Sequence, residues 1–106
     1  MRSDWELANQ YKWRIELKDK YGIEKFMPSG IAVRPNTGEF YIISAVGNIL
    51  LVIDRKNEIV YSEKLVHKLF KQPEGICFSP DGKTLFISNE GTDKPANILI
   101  FNAISQ

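Results

Sequence analysis

The sequence predicts an all-β chain built from antiparallel four-stranded blades of a β-propeller, about two of them. Three observations carry that expectation. The first is an internal repeat. Pro28, Gly30, Ile31 and Pro35 recur as Pro73, Gly75, Ile76 and Pro80, all at an offset of 45 residues. A period in this range, with several short strands per repeat, marks a propeller blade. The second is turn chemistry. Pro35-Asn36-Thr37-Gly38, Arg55-Lys56-Asn57-Glu58 and Pro80-Asp81-Gly82 are polar breaks between apolar runs. Proline presets φ at the second turn position, and glycine accepts the positive φ that returns the chain into a hairpin. The third is a lack of alternation. Tyr41-Ile42-Ile43 and Ile49-Leu50-Leu51-Val52-Ile53 are apolar on both faces, so their strands are covered on both sides. A parallel sheet between helices would need crossovers of roughly a dozen residues, and the turns leave no room for them. Blade-on-blade packing covers both faces without helices.

The elements follow in order. Residues 1–25 read as an N-terminal outer strand and linker. Tyr11, Trp13, Ile15 and Leu17 alternate with polar and charged residues, the pattern of a half-exposed strand. Asp19–Lys25 reads as a polar linker or another short turn. Residues 26–68 form the first blade, with strands over Ser29–Arg34, Phe40–Ala45, Ile49–Asp54 and Ile59–Lys64. Leu65–Phe70 is a short connecting turn. Residues 69–106 form the second blade, with strands over Gly75–Ser79, Leu85–Asn89 and Ile98–Asn102, and without a fourth strand of its own. The N-terminal strand could supply that fourth strand, or it could be the outer strand of a preceding blade. Between the repeats, the alignment takes one slip at the hairpin turn. It then sets Ala45-Val46 beside Asn89-Glu90 and Asn48-Ile49-Leu50 beside Asn97-Ile98-Leu99.

Two blades do not close a ring, which takes about four to eight. Alone they would leave two apolar blade faces exposed, and such faces predict association. A homotrimer would complete six blades. The remaining blades of a longer chain would do the same.

Composition excludes several function classes. The net charge is +1 over 106 residues, which is no footprint for nucleic acid. An apolar fraction of 43% argues against disorder. The single cysteine leaves no internal disulfide framework and no Cys-rich zinc site. The longest apolar run, Ile49–Ile53, is far short of the ~20 residues of a membrane span. Met1-Arg2-Ser3-Asp4-Trp5-Glu6 lacks the apolar core of a secretory signal.

Propeller chemistry usually gathers at the channel mouth, where inner strands and their loops converge. Glu74 stands at the start of an inner strand, and Asn89 and Glu90 stand at the end of its neighbour. Carboxylate and amide oxygens suit a hard cation such as calcium, which takes about 6–8 oxygen ligands. Glu74 and Glu90 are therefore the candidate metal ligands. Glu74, Asn89, Glu90 and Ser29, the first-blade counterpart of Glu74, are the candidate ligand-binding set. A structural reading competes with this one, in which Glu74 caps backbone N–H groups at a tight turn. No catalytic residue is assigned. His67 has no ligand or acid–base partner at suitable spacing. Cys77, between Ile76 and Phe78, reads as a buried small apolar residue. Trp5, Tyr11 and Trp13 could stack on a sugar or base, but strand packing explains them better. Gly30, Gly75 and Gly91 lack a phosphate-loop context.

The second repeat carries a longer string. Leu69–Gly82, Leu85-Phe86-Ile87-Ser88-Asn89-Glu90-Gly91 and Ala96-Asn97-Ile98-Leu99 resemble the C-terminal blades of the SdiA-regulated domain family, which is NHL- and lactonase-like. Pro28–Gly38 with Val46–Asp54 looks like the blade before. The resemblance covers about residues 26–102 and implies a roughly six-bladed propeller, often an exported or periplasmic bacterial protein. The functional expectation is a non-enzymatic binding or scaffold module. The alternatives are a calcium-supported hydrolase of the lactonase or phosphoesterase kind, by fold analogy, and an inactive fragment of a larger propeller.

Overall fold

A computed structural model describes residues 7, 14–65, 72–91 and 95–103. The described chain is all-β apart from one short helix. Helix α1 (Arg14–Tyr21) is followed by strands β1 (Pro28–Val33), β2 (Phe40–Ser44), β3 (Ile49–Ile53) and β4 (Ile59–Lys64), then β5 (Pro73–Phe78), β6 (Thr84–Asn89) and β7 (Asn97–Asn102). They form two antiparallel meanders, β1-β2-β3-β4 and β5-β6-β7. The seven strands expected of the two blades are all present. Each turn supplies what its hairpin needs. Gly38 and Gly82 adopt φ of 75° and 72°. In the third turn Asp54 Oδ1 accepts the N–H groups of Lys56 and Glu58, both at 2.9 Å. Asn57 takes the positive φ there.

The outer strand expected over Tyr11–Leu17 is not formed in its described part. From Arg14 onward the chain is helical. Leu17 and Tyr21, one turn apart, meet the first sheet together, and that spacing is the helical one. Lys18 and Lys20 lie in the last turn, where the helix dipole favours cations. Gly22, with φ of 67°, stops the helix, and its N–H donates to the Lys18 carbonyl. Asp19–Tyr21, expected as linker or a short turn, belong to this helix. Tyr11–Trp13 and the connector Val66–Phe70 lie outside the described residues.

The doubly apolar strands β2 and β3 have both faces covered, by two different kinds of neighbour. On one face Ile43, Leu50 and Leu65 pack with Ile87 of the second sheet, flanked by Tyr41, Ile76, Leu85 and Leu99. On the other face Ile42, Leu51, Ile53 and Ile59 pack against Leu17 of α1, flanked by Tyr21, Ile23, Phe26 and Phe40. Only the first of these faces is covered by sheet-on-sheet packing. The other, expected to be bare, is covered over its middle strands by α1 and the segment behind it.

Strand pairing corrects the repeat alignment. Ser44 pairs with Pro28 and Asn89 pairs with Pro73, so Asn89 is the counterpart of Ser44, and Glu90 that of Ala45. The two hairpin turns are equally long, closed by Arg34 N–H to Glu39 O and by Ser79 N–H to Thr84 O. The apparent slip arises because the second turn places its glycine one position earlier. Ser44 and Asn89 then pair with Ile49 and Asn97. Ile49 therefore matches Asn97, and the shared Asn-Ile-Leu string is out of register by one. In a strand a one-residue shift exchanges the two faces, so the corrected offsets of 45 and 48 residues decide which surfaces are equivalent.

Candidate functional site

Ser29 and Glu74 occupy the same structural position. Each lies within a register shift at the start of an inner strand, between Pro28 and Gly30 in β1 and between Pro73 and Gly75 in β5. Such a bulge re-aims the side chain of the extra residue. In the first sheet this side chain joins the two sheets. Ser29 Oγ donates to the Pro73 carbonyl at 2.8 Å and lies 3.4 Å from the Ile43 carbonyl. Gly30 lies just beyond, where a Cβ would come within 3.3 Å of the Glu74 carbonyl. Ser29 is thus a tie between sheets. Glu74 is exposed, and among the described residues its carboxylate caps no backbone N–H.

Asn89 and Glu90 sit at the same end of the second sheet as Glu74. Asn89 is buried, and its Nδ2 donates to Asn97 Oδ1 at 2.9 Å. Its Oδ1 is also buried and has no hydrogen-bond partner among the described residues. Glu90 is exposed, and its backbone N–H donates to the Gln72 carbonyl. The fold therefore brings Glu74, Asn89 and Glu90 to one end of one sheet and turns Ser29 to a different task. Among the described residues no group of three His, Cys, Asp or Glu side chains is gathered at metal-binding spacing. Trp5, Tyr11, Trp13 and His67 lie outside the described residues.

The opposite end of the seam carries a cluster that the sequence did not flag. Arg34 Nε donates to the Gly82 carbonyl at 3.0 Å, and its Nη1 donates to Tyr41 Oη at 3.3 Å. The guanidinium lies over the Phe78 ring, 5.9 Å from its centroid. The Tyr41 and Phe78 rings meet edge-on at 4.8 Å. These groups line a shallow cleft of about 140 Å³ between the sheets. Nothing in a lone Arg-Pro dipeptide marks Arg34 as a residue that reaches across the repeat.

Among the described residues, the outer face of the second sheet is an apolar surface without a partner. Residues paired across neighbouring strands share a face. Cys77 pairs with Phe86, Phe86 with Ile100, and Ser88 with Ile98. Ile98 and Ile100 are 64% and 60% exposed. Cys77, expected to be buried, is exposed on this same face, because it is the neighbouring residues Ile76 and Phe78 that turn inward. The available signal was β7 itself: Ile98-Leu99-Ile100-Phe101 is apolar on both faces, yet only one face has a partner among the described residues. The chain matches no protein-family model and no curated protein.

Proposed function

We propose that this chain is a non-enzymatic β-propeller-type binding or scaffold module that works by sheet-on-sheet association. The observation that carries this reading is the outer face of the second sheet. By the corrected offsets Gly75, Cys77, Phe86, Ser88, Ile98 and Ile100 are the counterparts of Gly30, Ala32, Tyr41, Ile43, Leu50 and Val52. Those first-sheet residues form the face that receives the second sheet. The open face is therefore of the kind that this fold already uses to hold another sheet. Sheets packed in this sense, repeated, form a propeller, which agrees with the resemblance to SdiA-regulated domains. Three copies would supply about six blades, and the remaining blades of a longer chain are the other source.

The test is solution mass by light scattering across a concentration series. Growth beyond 12.2 kDa that Ile100→Lys suppresses supports the reading. A chain that stays at monomer mass throughout, on its own and with candidate propeller partners, overturns it.

One observation favours a second reading. The buried Oδ1 of Asn89 is an oxygen without a hydrogen-bond partner among the described residues, at the same end of the second sheet as the exposed residues Glu74 and Glu90. Oxygen donors of this kind suit calcium. A ligand that binds only the native state raises its stability. Calcium binding at this end would raise the melting temperature of the wild type, and Glu74→Gln would diminish the shift. An unshifted melt in millimolar calcium removes this reading.

A further inference from the structure

We infer that the outer face of the first sheet is itself a docking surface for a sheet, and that α1 is a displaceable cover that gates head-to-tail addition of a second copy of this chain. The inference rests on the association reading above and names the surface that the open face would meet.

The argument starts from equivalence. Ile76, Phe78, Leu85, Ile87, Leu99 and Phe101 form the second-sheet face turned toward the first sheet. Their counterparts are Ile31, Val33, Phe40, Ile42, Leu51 and Ile53. In the second sheet these positions meet a sheet. In the first, Phe40, Ile42, Leu51 and Ile53 meet α1 and the segment after it instead, where a preceding sheet would pack. The cover is also narrower than the face. It buries Ile42, Leu51 and Ile53 on the middle strands. It leaves Ile31 and Val33 of the inner strand 59% and 52% exposed. Their counterparts Ile76 and Phe78 are half-buried at the seam. A surface wide enough for a sheet is thus only partly covered by a helix.

Among the described side chains, the attachment of that helix includes Leu17, Tyr21 with its hydroxyl donating to the Ile59 carbonyl at 3.1 Å, and the following Ile23 and Phe26. A helix of eight residues has little stability away from its packing surface. Displacing α1 would open a face that matches the open face of another copy's second sheet. The two surfaces differ, so the contact is heterologous, and it closes into a ring or runs into an open chain depending on the rotation per step.

The experiment compares self-association of the wild type, Leu17→Glu, Tyr21→Phe and Ile100→Lys by light scattering, with circular dichroism to confirm folding. Leu17→Glu loosens the cover and should lower the concentration for half-association about tenfold. Tyr21→Phe, which keeps the ring and loses only one hydrogen bond, should move it less and in the same direction. Ile100→Lys added to either variant should reverse the gain. If Ile100→Lys weakens association but folded Leu17→Glu and Tyr21→Phe leave it unchanged, α1 is no gate. The open face then pairs with its own copy, and the gating inference fails while the association reading stands. If no variant associates at any concentration, the association reading itself fails.

Discussion

Gly82 meets two demands at once. Its φ of 72° lies in the left-handed region, and a Cβ there would run into Asn36 Oδ1, which leans across from the first hairpin turn. Gly22 has a similar φ but open space around it. We therefore expect Gly82→Ala to cost about 1–3 kcal/mol and to exceed the cost of Gly22→Ala, measured by urea unfolding. Asn36→Ala should recover part of the loss, because the two side chains would share one space. In the same turn Asp81 accepts hydrogen bonds from Ser79 Oγ and Lys83 N–H. These bonds, the Ser79 hydroxyl first, hold its carboxyl below the usual carboxylate value. A lowered folded-state pKa stabilises the fold above the unfolded value and loses that contribution as pH falls through the folded one. Stability should thus decline on acidification, and Asp81→Asn should flatten that part of the curve.

At the scale of elements, the seam decides stability and the open face does not. Ile87 is buried between the sheets, and Ile98 stands on the free face of the same sheet. Ile87→Ala should cost about 2–5 kcal/mol, whereas Ile98→Ala at low protein concentration should stay within about 0.5 kcal/mol. Ser29→Ala removes the tie to Pro73 and should cost about 1 kcal/mol. Chemical denaturation of the three variants orders them directly. The strands were legible because turn residues and apolar runs agree at every hairpin. The helix was not. A short alternating stretch fits a strand on its own, and the signs of a helix lay downstream in the Leu17–Tyr21 spacing and the Gly22 stop. Site legibility divided in the same way. The equivalence of Ser29 and Glu74 could be read from the repeat, but the task of Ser29 depends on a carbonyl 44 residues away. Cys77 was misplaced inward because it was read together with Ile76 and Phe78, although alternation along a strand turns it to the opposite face from both.

The molecule as a whole is a two-sheet unit with one apolar face open and another thinly covered. By the repeat offsets, the open face is equivalent to the first-sheet face that holds the second sheet, and the covered face is equivalent to the second-sheet face that is held. Cys77, the only cysteine in the chain, lies on the open face and reports its coverage. The most direct measurement is therefore the rate of Cys77 thiol modification at rising protein concentration, read beside solution mass. Sheet-on-sheet association through this face predicts fast modification at monomer mass and progressive protection as the mass grows. A mass that grows while the thiol stays equally reactive would place the contact elsewhere and contradict the assignment of this face.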